Sequence, residues 1–240
     1  MVVTTDTFSC AGKKNANEDA LIVETCADGA VCLALADGMG GHDAGRLASH
    51  TAIKAVQKWC RAGRQTGREE LFLHIVELLR QASQKNGTSL NLGTTLTICV
   101  LADNMASVAH VGDCRIYHLR GKGLVSRTED QTELHHLLRE RIISREQAKN
   151  YPRPNVLLSA LSPRSDFTIY DCNFEVQAGD IIMLCSDGVH RVINKPQIRS
   201  IADQCQDVSG FVGMIKAYLD NAKPKDDYSV IAAYIDDSSK

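Results

Sequence analysis

The chain has 240 residues, 44% of them hydrophobic and 23% charged, with a formal net charge of -2. That length suits one large domain or two small ones with a sizeable core, and the composition is that of an ordinary globular protein. Acidic and basic residues are interspersed, which argues against a nucleic-acid footprint or a polybasic membrane patch, and no apolar run approaches a membrane span. A slightly acidic balance still allows an anionic substrate, because a bound cation can reverse the local field.

Taken in chain order, short apolar runs predict strands at 20–24, 30–36, 94–102, 105–112, 115–119, 166–176, 180–186 and 228–235. Helical period appears at 44–60, where Leu47, Ala48, Thr51, Ala52, Ala55, Val56 and Trp59 share a face. It recurs at 68–84 through Leu71, Ile75, Leu78 and Leu79, and helices also fit 195–205 and 208–222. The stretch 133–150 is helical but highly charged and precedes Pro152 and Pro154, which predicts an exposed helical excursion. Residues 102–104 and 120–123 read as hairpin turns, so the middle of the chain is expected to be an antiparallel meander. Strands segregated from helices imply an α+β fold.

The nine cysteines are Cys10, Cys26, Cys32, Cys60, Cys99, Cys114, Cys172, Cys185 and Cys205. Their number is odd, none is spaced C-x-x-C, and most lie in apolar runs. They read as reduced, buried thiols of a cytoplasmic protein and not as a zinc site. The N-terminus lacks the charged-then-apolar pattern of a secretion signal.

Carboxylates recur beside the predicted strands. Glu18 and Asp19 precede the first, Asp37 separates "AVCLALA" from four glycines, and Asp113 follows "HVG". Asp187 lies in "LCSDG", and Asp226 and Asp227 precede the last strand. Each alone is ordinary turn chemistry. If the strand ends meet, the carboxylates repel one another unless cations sit between them. Oxygen donors without Cys or His favour Mg²⁺ or Mn²⁺.

The stretches "NEDA" (17–20), "LADGMGGHDAGRLAS" (35–49), "GTTLT" (93–97), "HVGDCRIYHLR" (110–120), "LLSALS" (157–162), "GDIIMLCSDGV" (179–189) and "DDYSVI" (226–231) run in order along nearly the whole chain. This set resembles the metal-dependent Ser/Thr protein phosphatases of the PPM, or type 2C, family in its compact bacterial form. The resemblance implies a single domain over 1–240, a four-layer α-β-β-α sandwich with two central antiparallel sheets flanked by helices. It also implies a flap-like helical excursion at about 131–157 beside the site. Two Mn²⁺ or Mg²⁺ ions are implied, with Asp37 bridging both. Glu18 and the backbone carbonyl of Gly38 would bind one, and Asp187 and Asp226 the other. Asp19 would act through water, and Asp113 matches a residue of a third, weaker metal site.

The implied function is hydrolysis of phosphoserine and phosphothreonine in proteins by water activated at the dinuclear centre. The implied partners are phosphorylated proteins, including a cognate Ser/Thr kinase or its targets, with no nucleic acid and no membrane. The sequence departs from the family pattern at several points. Lys14 stands where an arginine usually grips the phosphate, and lysine lacks the bidentate fork. Arg191 stands where an acidic residue often helps the third metal, so that site is expected to be weak or absent. Arg46, Gln131, Cys114, Ser162 and Asp227 are milder departures. Met39 occupies the histidine position of animal relatives, leaving His42 as either a proton donor or a residue that orders the loop. These departures keep open an alternative, a pseudophosphatase acting as a regulatory binding module; hydrolysis of small phosphate esters is a third reading.

Overall fold

Among the described residues every strand pairing is antiparallel, and the pairings build two sheets. The computed structural model describes residues 1–13, 16–85, 92–164 and 166–236, with His42 described by its backbone alone. The first sheet contains β1 (Val2–Cys10), β7 (Arg115–Arg120), β8 (Gly123–Ser126), β10 (Ile181–Cys185) and β11 (Tyr228–Asp236), in the order β1-β11-β10-β7-β8. The second contains β2 (Asp19–Thr25), β3 (Val31–Met39), β5 (Leu96–Ala102), β6 (Met105–Val111) and β9 (Tyr170–Glu175), in the order β2-β3-β5-β6-β9, with the short β4 (Gly93–Thr94) beside β3.

Side-chain alternation decides what each face buries. Leu33 and Leu35 of β3, with Cys99, Leu101 and Val108, meet Ile116, Ile182, Leu184 and Ile231 between the sheets. The intervening Cys32, Ala34 and Ala36 face the other way, against α1 (His42–Arg61) and α2 (Arg68–Lys85). On the outer face of the first sheet, Tyr117, Met183, Val230 and Ala232 pack on α6 (Lys195–Ala202) and α7 (Val208–Ala222). The layers are therefore helix, sheet, sheet, helix. Strands covered on both faces become continuous apolar runs, which is why β3, β5, β10 and β11 are visible in the sequence.

Three expectations need correction, and two elements, β1 and a one-turn helix, were not anticipated. The stretch 2–10 is strand β1, paired with β11 from Val2↔Asp236 to Cys10↔Tyr228. As an edge strand it buries only Phe8, so its threonine-rich pattern carries little apolar signal. The meander is interrupted. Hairpins close at 102–105 and 120–123 as expected, but β6 and β7 belong to different sheets. The chain crosses between them at Gly112, whose φ of 114° suits glycine. The run 166–176 forms a strand only over Tyr170–Glu175. The helical excursion divides into α3 (Glu133–Arg139) and α4 (Arg145–Ala148), separated by a turn in which Arg141 has φ 57°. A one-turn helix, α5 (Asp187–His190), is also absent from the periodicity reading, being too short to show a period. Among the described residues, no helix is long and apolar enough to cross a membrane.

Candidate functional site

The acidic residues singled out above lie at one end of the sandwich. Asp19 at the start of β2 is the register partner of Asp37 near the end of β3. Glu18 directly precedes β2, and Asp113 lies in the crossing from β6 to β7. Asp187 opens α5 after β10, and Asp226 leads into β11. Glu18, Asp37, Gly38, Asp113, Asp187 and Asp226 all line one cavity of about 800 Å³. Met39, Arg164, Arg191 and the flap residues Leu157 and Leu158 line it too. Lys14 lies outside the described residues, and so does the side chain of His42, whose backbone opens α1.

The electrostatics follow from this gathering. Burial holds the Asp37 carboxyl well above the ordinary carboxylate range, and Asp19, Asp187, Asp113 and Asp226 push it the same way. Burial takes Asp19 up to about 7 despite hydrogen bonds from Ser229 and Ser186, with Asp227 and Asp187 adding repulsion. Asp113 is also pushed up to about 7, by burial first and then by Asp187, while Arg191 opposes the shift. Carboxylates arranged this way must hold either protons or cations.

Local hydrogen bonds fix the cluster. The Asp37 N–H donates to Thr95 Oγ1 at 2.9 Å, and its carbonyl accepts from Thr95 N–H at 2.9 Å and Thr94 Oγ1 at 3.0 Å. Asp19 Oδ2 accepts from Ser186 Oγ at 2.8 Å and Ser229 Oγ at 2.6 Å. Asp19 Oδ1 is buried with no hydrogen-bond partner among the described residues. A Cβ on Gly38 would stand 2.1 Å from the Gly45 carbonyl oxygen, and one on Gly45 would stand 2.5 Å from Glu18 Oε1. The end of β3 and the first turn of α1 therefore meet backbone to backbone beside Glu18, a closeness only glycine permits.

Asp227 has a role that sequence reasoning missed. It is 2% exposed. Its Oδ1 accepts the Gly12 N–H at 3.0 Å and its Oδ2 accepts the Glu18 N–H at 2.8 Å. One side chain thus fixes both ends of the segment that contains Lys14. Its adjacency to Asp226 was the only sequence signal, and it suggested merely an extra charge. Thr95, Ser186 and Ser229 were missed for the same reason: hydroxyl donors leave no pattern.

Arg191 Nη2 lies 2.7 Å from Asp187 Oδ2 and 3.3 Å from Asp113 Oδ2. His190, with its pKa pushed down to about 3 chiefly by burial, is neutral and donates Nε2–H to the Asp113 carbonyl at 3.0 Å. Gln131 ties the flap to the same turn: its Oε1 accepts the Gly112 N–H at 2.8 Å, and its carbonyl accepts the Leu158 N–H at 2.8 Å.

The donor set fits hard divalent cations. It is all oxygen, it contains an unpartnered buried carboxylate oxygen on Asp19, and its glycine contacts leave no room for side chains. Among the described residues, no three His, Cys, Asp or Glu side chains close a metal cage by themselves. Mg²⁺ and Mn²⁺ sites seldom need one, because such ions keep several waters.

Comparison with known proteins gives a consistent family. The family model described as Protein phosphatase 2C matches residues 8–226. Serine/threonine phosphatase stp of Listeria monocytogenes serotype 4b is 33% identical over 175 residues, covering 70% of this chain and 69% of that protein. Protein phosphatase PhpP of Streptococcus pneumoniae serotype 2 is 28% identical over 224 residues, 91% of each. The crystal structure of the Mycobacterium tuberculosis serine/threonine phosphatase PstP/Ppp matches with a TM-score of 0.88 at 27% identity, over 99% of this chain and 100% of that one. The PstP catalytic domain in complex with 2 manganese ions matches with a TM-score of 0.81 at 27% identity, over 98% and 99% of the two chains.

Two outcomes are expected. Asp227→Ala loses both acceptors and should destabilise the protein by about 2–4 kcal/mol in urea unfolding, with Asp227→Asn in between; an Ala variant as stable as the parent would contradict the bracketing role. Asp37 is raised in the folded state, so its ionised form costs stability once pH climbs above the ordinary carboxylate value of 3.8. In chelator, Asp37→Asn should therefore melt several degrees above the parent at about pH 8, with the gap closing towards about pH 4. A gap that widens on acidification would contradict this electrostatic account.

Proposed function

Because the chain belongs to the protein phosphatase 2C family, we propose that it hydrolyses phosphoserine and phosphothreonine in proteins at the acidic cluster, with two Mn²⁺ or Mg²⁺ ions as cofactors. The observation that carries this reading is the gathering of Glu18, Asp37, Asp113, Asp187 and Asp226 around one cavity, where burial first and the neighbouring acids second raise the Asp37 carboxyl. Support for the ions comes from the PstP catalytic domain, a structural relative whose complex holds 2 manganese ions.

In this reading Asp37 would hold both ions, Glu18 and the Gly38 carbonyl would hold one, and Asp187 and Asp226 would hold the other. Asp19, fixed by Ser186 and Ser229, orients water through its second oxygen. When bound, the ions supply an acidified water as nucleophile and stabilise charge on the phosphoryl oxygens. The chain's own task is to position. Thr94 and Thr95 fix the Asp37 backbone, and Asp227 fixes Gly12 and Glu18, which flank in sequence the lysine, Lys14, assigned here to the phosphate. Lysine gives that grip charge without a fork, so phosphate binding is weaker than an arginine would give. His42 stays a candidate either as proton donor or as a residue that orders the loop; in this reading the leaving alkoxide takes its proton from water.

Arg191 places a guanidinium between Asp113 and Asp187, where a third cation would need to sit. The third site is accordingly weak or absent. The phosphatase unit spans 1–240 with the flap at about 131–157, and reduced thiols suit the cytoplasm. Its partners are phosphorylated proteins, a Ser/Thr kinase or that kinase's targets among them. One observation favours a second reading, a binding module without turnover: Arg191 also pairs with Asp187, a residue needed for metal.

Phosphate release from a phosphothreonine peptide separates these readings. Turnover with Mn²⁺ is expected to vanish in EDTA and to fall about 100-fold or more in Asp187→Asn. Metal binding without turnover would support the binding module, and faster hydrolysis of small esters than of the peptide would redirect the substrate class. Arg191→Gln is expected to retain more Mn²⁺ per chain than the parent after desalting; a parent that already retains three ions would contradict the account of Arg191.

A further inference from the structure

The flap meets the acidic end of the sandwich through one residue, Gln131. Its N–H donates to the Gly112 carbonyl at 2.8 Å, and its Oε1 accepts the Gly112 N–H at 2.8 Å. The next residue along that turn is Asp113. Gln131 Nε2 donates to the Thr168 carbonyl at 2.8 Å, and the Gln131 carbonyl accepts the Leu158 N–H at 2.8 Å. Both ends of the side-chain amide are thus engaged, and so are both backbone groups. The preceding residue, Asp130, holds Arg115 with both carboxylate oxygens, at 2.8 and 2.6 Å. The root of the flap therefore fixes the chain on either side of Asp113.

The segment that returns from the flap is a wall of the catalytic cavity, which Leu157, Leu158, Ser159 and Ala160 line. Two anchors hold this wall. At one, Leu161 and Thr94 exchange backbone hydrogen bonds at 2.9 and 3.0 Å, and Thr94 Oγ1 donates to the Asp37 carbonyl at 3.0 Å. At the other, Leu158 is bonded to Gln131, beside a bridge between Thr132 and Leu157. The wall is strung between the Asp37 end and the Asp113 end of the site. The Leu161–Thr94 link is backbone to backbone, whereas the link from Leu158 to the Asp113 turn passes through a glutamine side chain. Leu158 is 54% exposed, so the wall presents an apolar group at the rim.

We propose that Gln131 is a positioning residue for substrate selection: it holds the 157–160 wall in register with the Asp113 turn, so that the rim meets the polypeptide flanking a phosphorylated residue. The proposal rests on the phosphatase reading above and adds to it a preference for peptides over small phosphate esters. The reason is reach. A small ester occupies only the acidic end of the cavity, whereas a peptide must pass along the wall. There Leu158 offers apolar surface, and the complementary occupant is an apolar side chain next to the phosphorylated residue. A shift of about 1 Å in the wall weakens that contact and leaves the ester's contacts in place. Glutamine suits the task because one planar group carries an acceptor for Gly112 and a donor for Thr168. A carboxylate of the same length lacks the donor, and an alanine lacks both.

The test compares the parent with Gln131→Met, which keeps the length of the side chain and removes its donor and acceptor. Rates with Mn²⁺ are measured on a phosphothreonine peptide carrying leucine beside the phosphorylated residue and on p-nitrophenyl phosphate. The variant is expected to lose about tenfold in kcat/KM on the peptide, mostly through KM, and less than about threefold on the ester. Hydrogen exchange at the Gly112 and Leu158 amides should quicken together, while the Glu18 amide, held by Asp227, stays as slow as in the parent. Leu158→Ser, a change at an exposed side chain, should show the same peptide-selective loss with Gly112 exchange unaltered, and its result stands whether or not the methionine variant folds. Equal losses on both substrates in Gln131→Met, or an unchanged peptide KM in either variant, would overturn the proposal. A parent inactive towards both substrates would instead overturn the phosphatase reading, and the proposal with it.

Discussion

Mutual repulsion among buried carboxylates is the constraint on which the site depends. Burial makes Asp37 costly to charge, and the neighbouring Asp19, Asp187, Asp113 and Asp226 compound that cost. Such an arrangement does not persist unless the backbone beneath it is held in place. The holding groups are visible: β2–β3 register, the Thr94 and Thr95 bonds to Asp37, two serine hydroxyls on Asp19, and Asp227 across the 12–18 segment. Only part of the charge is met from within. Arg191 pairs with the Asp113–Asp187 side, whereas burial and the neighbouring acids all raise the Asp37 carboxyl.

The sandwich makes this possible because its ends are rigid. β3 is covered by the opposite sheet through Leu33 and Leu35 and by α1 through Cys32, Ala34 and Ala36. A strand packed on both faces cannot slip register without exposing one of them to the wrong neighbours. Small residues on the helix-facing side let α1 come close. That approach brings Gly45 against Gly38 beside Glu18. Core packing and site geometry are thus one arrangement, and the glycines that looked like turn residues serve backbone contact.

Sequence legibility followed the physics of each feature. Doubly covered strands produce apolar runs, so β3, β5, β10 and β11 could be read, and long amphipathic helices such as α1 and α7 could be read by period. Edge strand β1 buries a single side chain and left no such trace. Hairpin turns were visible, but the change of sheet between β6 and β7 was not, because turn chemistry says nothing about which sheet a strand joins. At the site, acids beside strands were conspicuous. Asp227 looked like one more acid, although its function is to accept two backbone N–H groups more than two hundred residues away in sequence. Arg191 was legible only as a departure from a family pattern, and the structure gives that departure a physical form in two ion pairs.

The central claim, that repulsion around Asp37 is relieved by two divalent cations, is tested most directly by anomalous diffraction from crystals grown with Mn²⁺. The account expects two manganese peaks in the cavity, both within liganding distance of the Asp37 carboxylate, with none between Asp113 and Arg191. A cavity without manganese, or ions bound with Asp37 turned away from both, would contradict it.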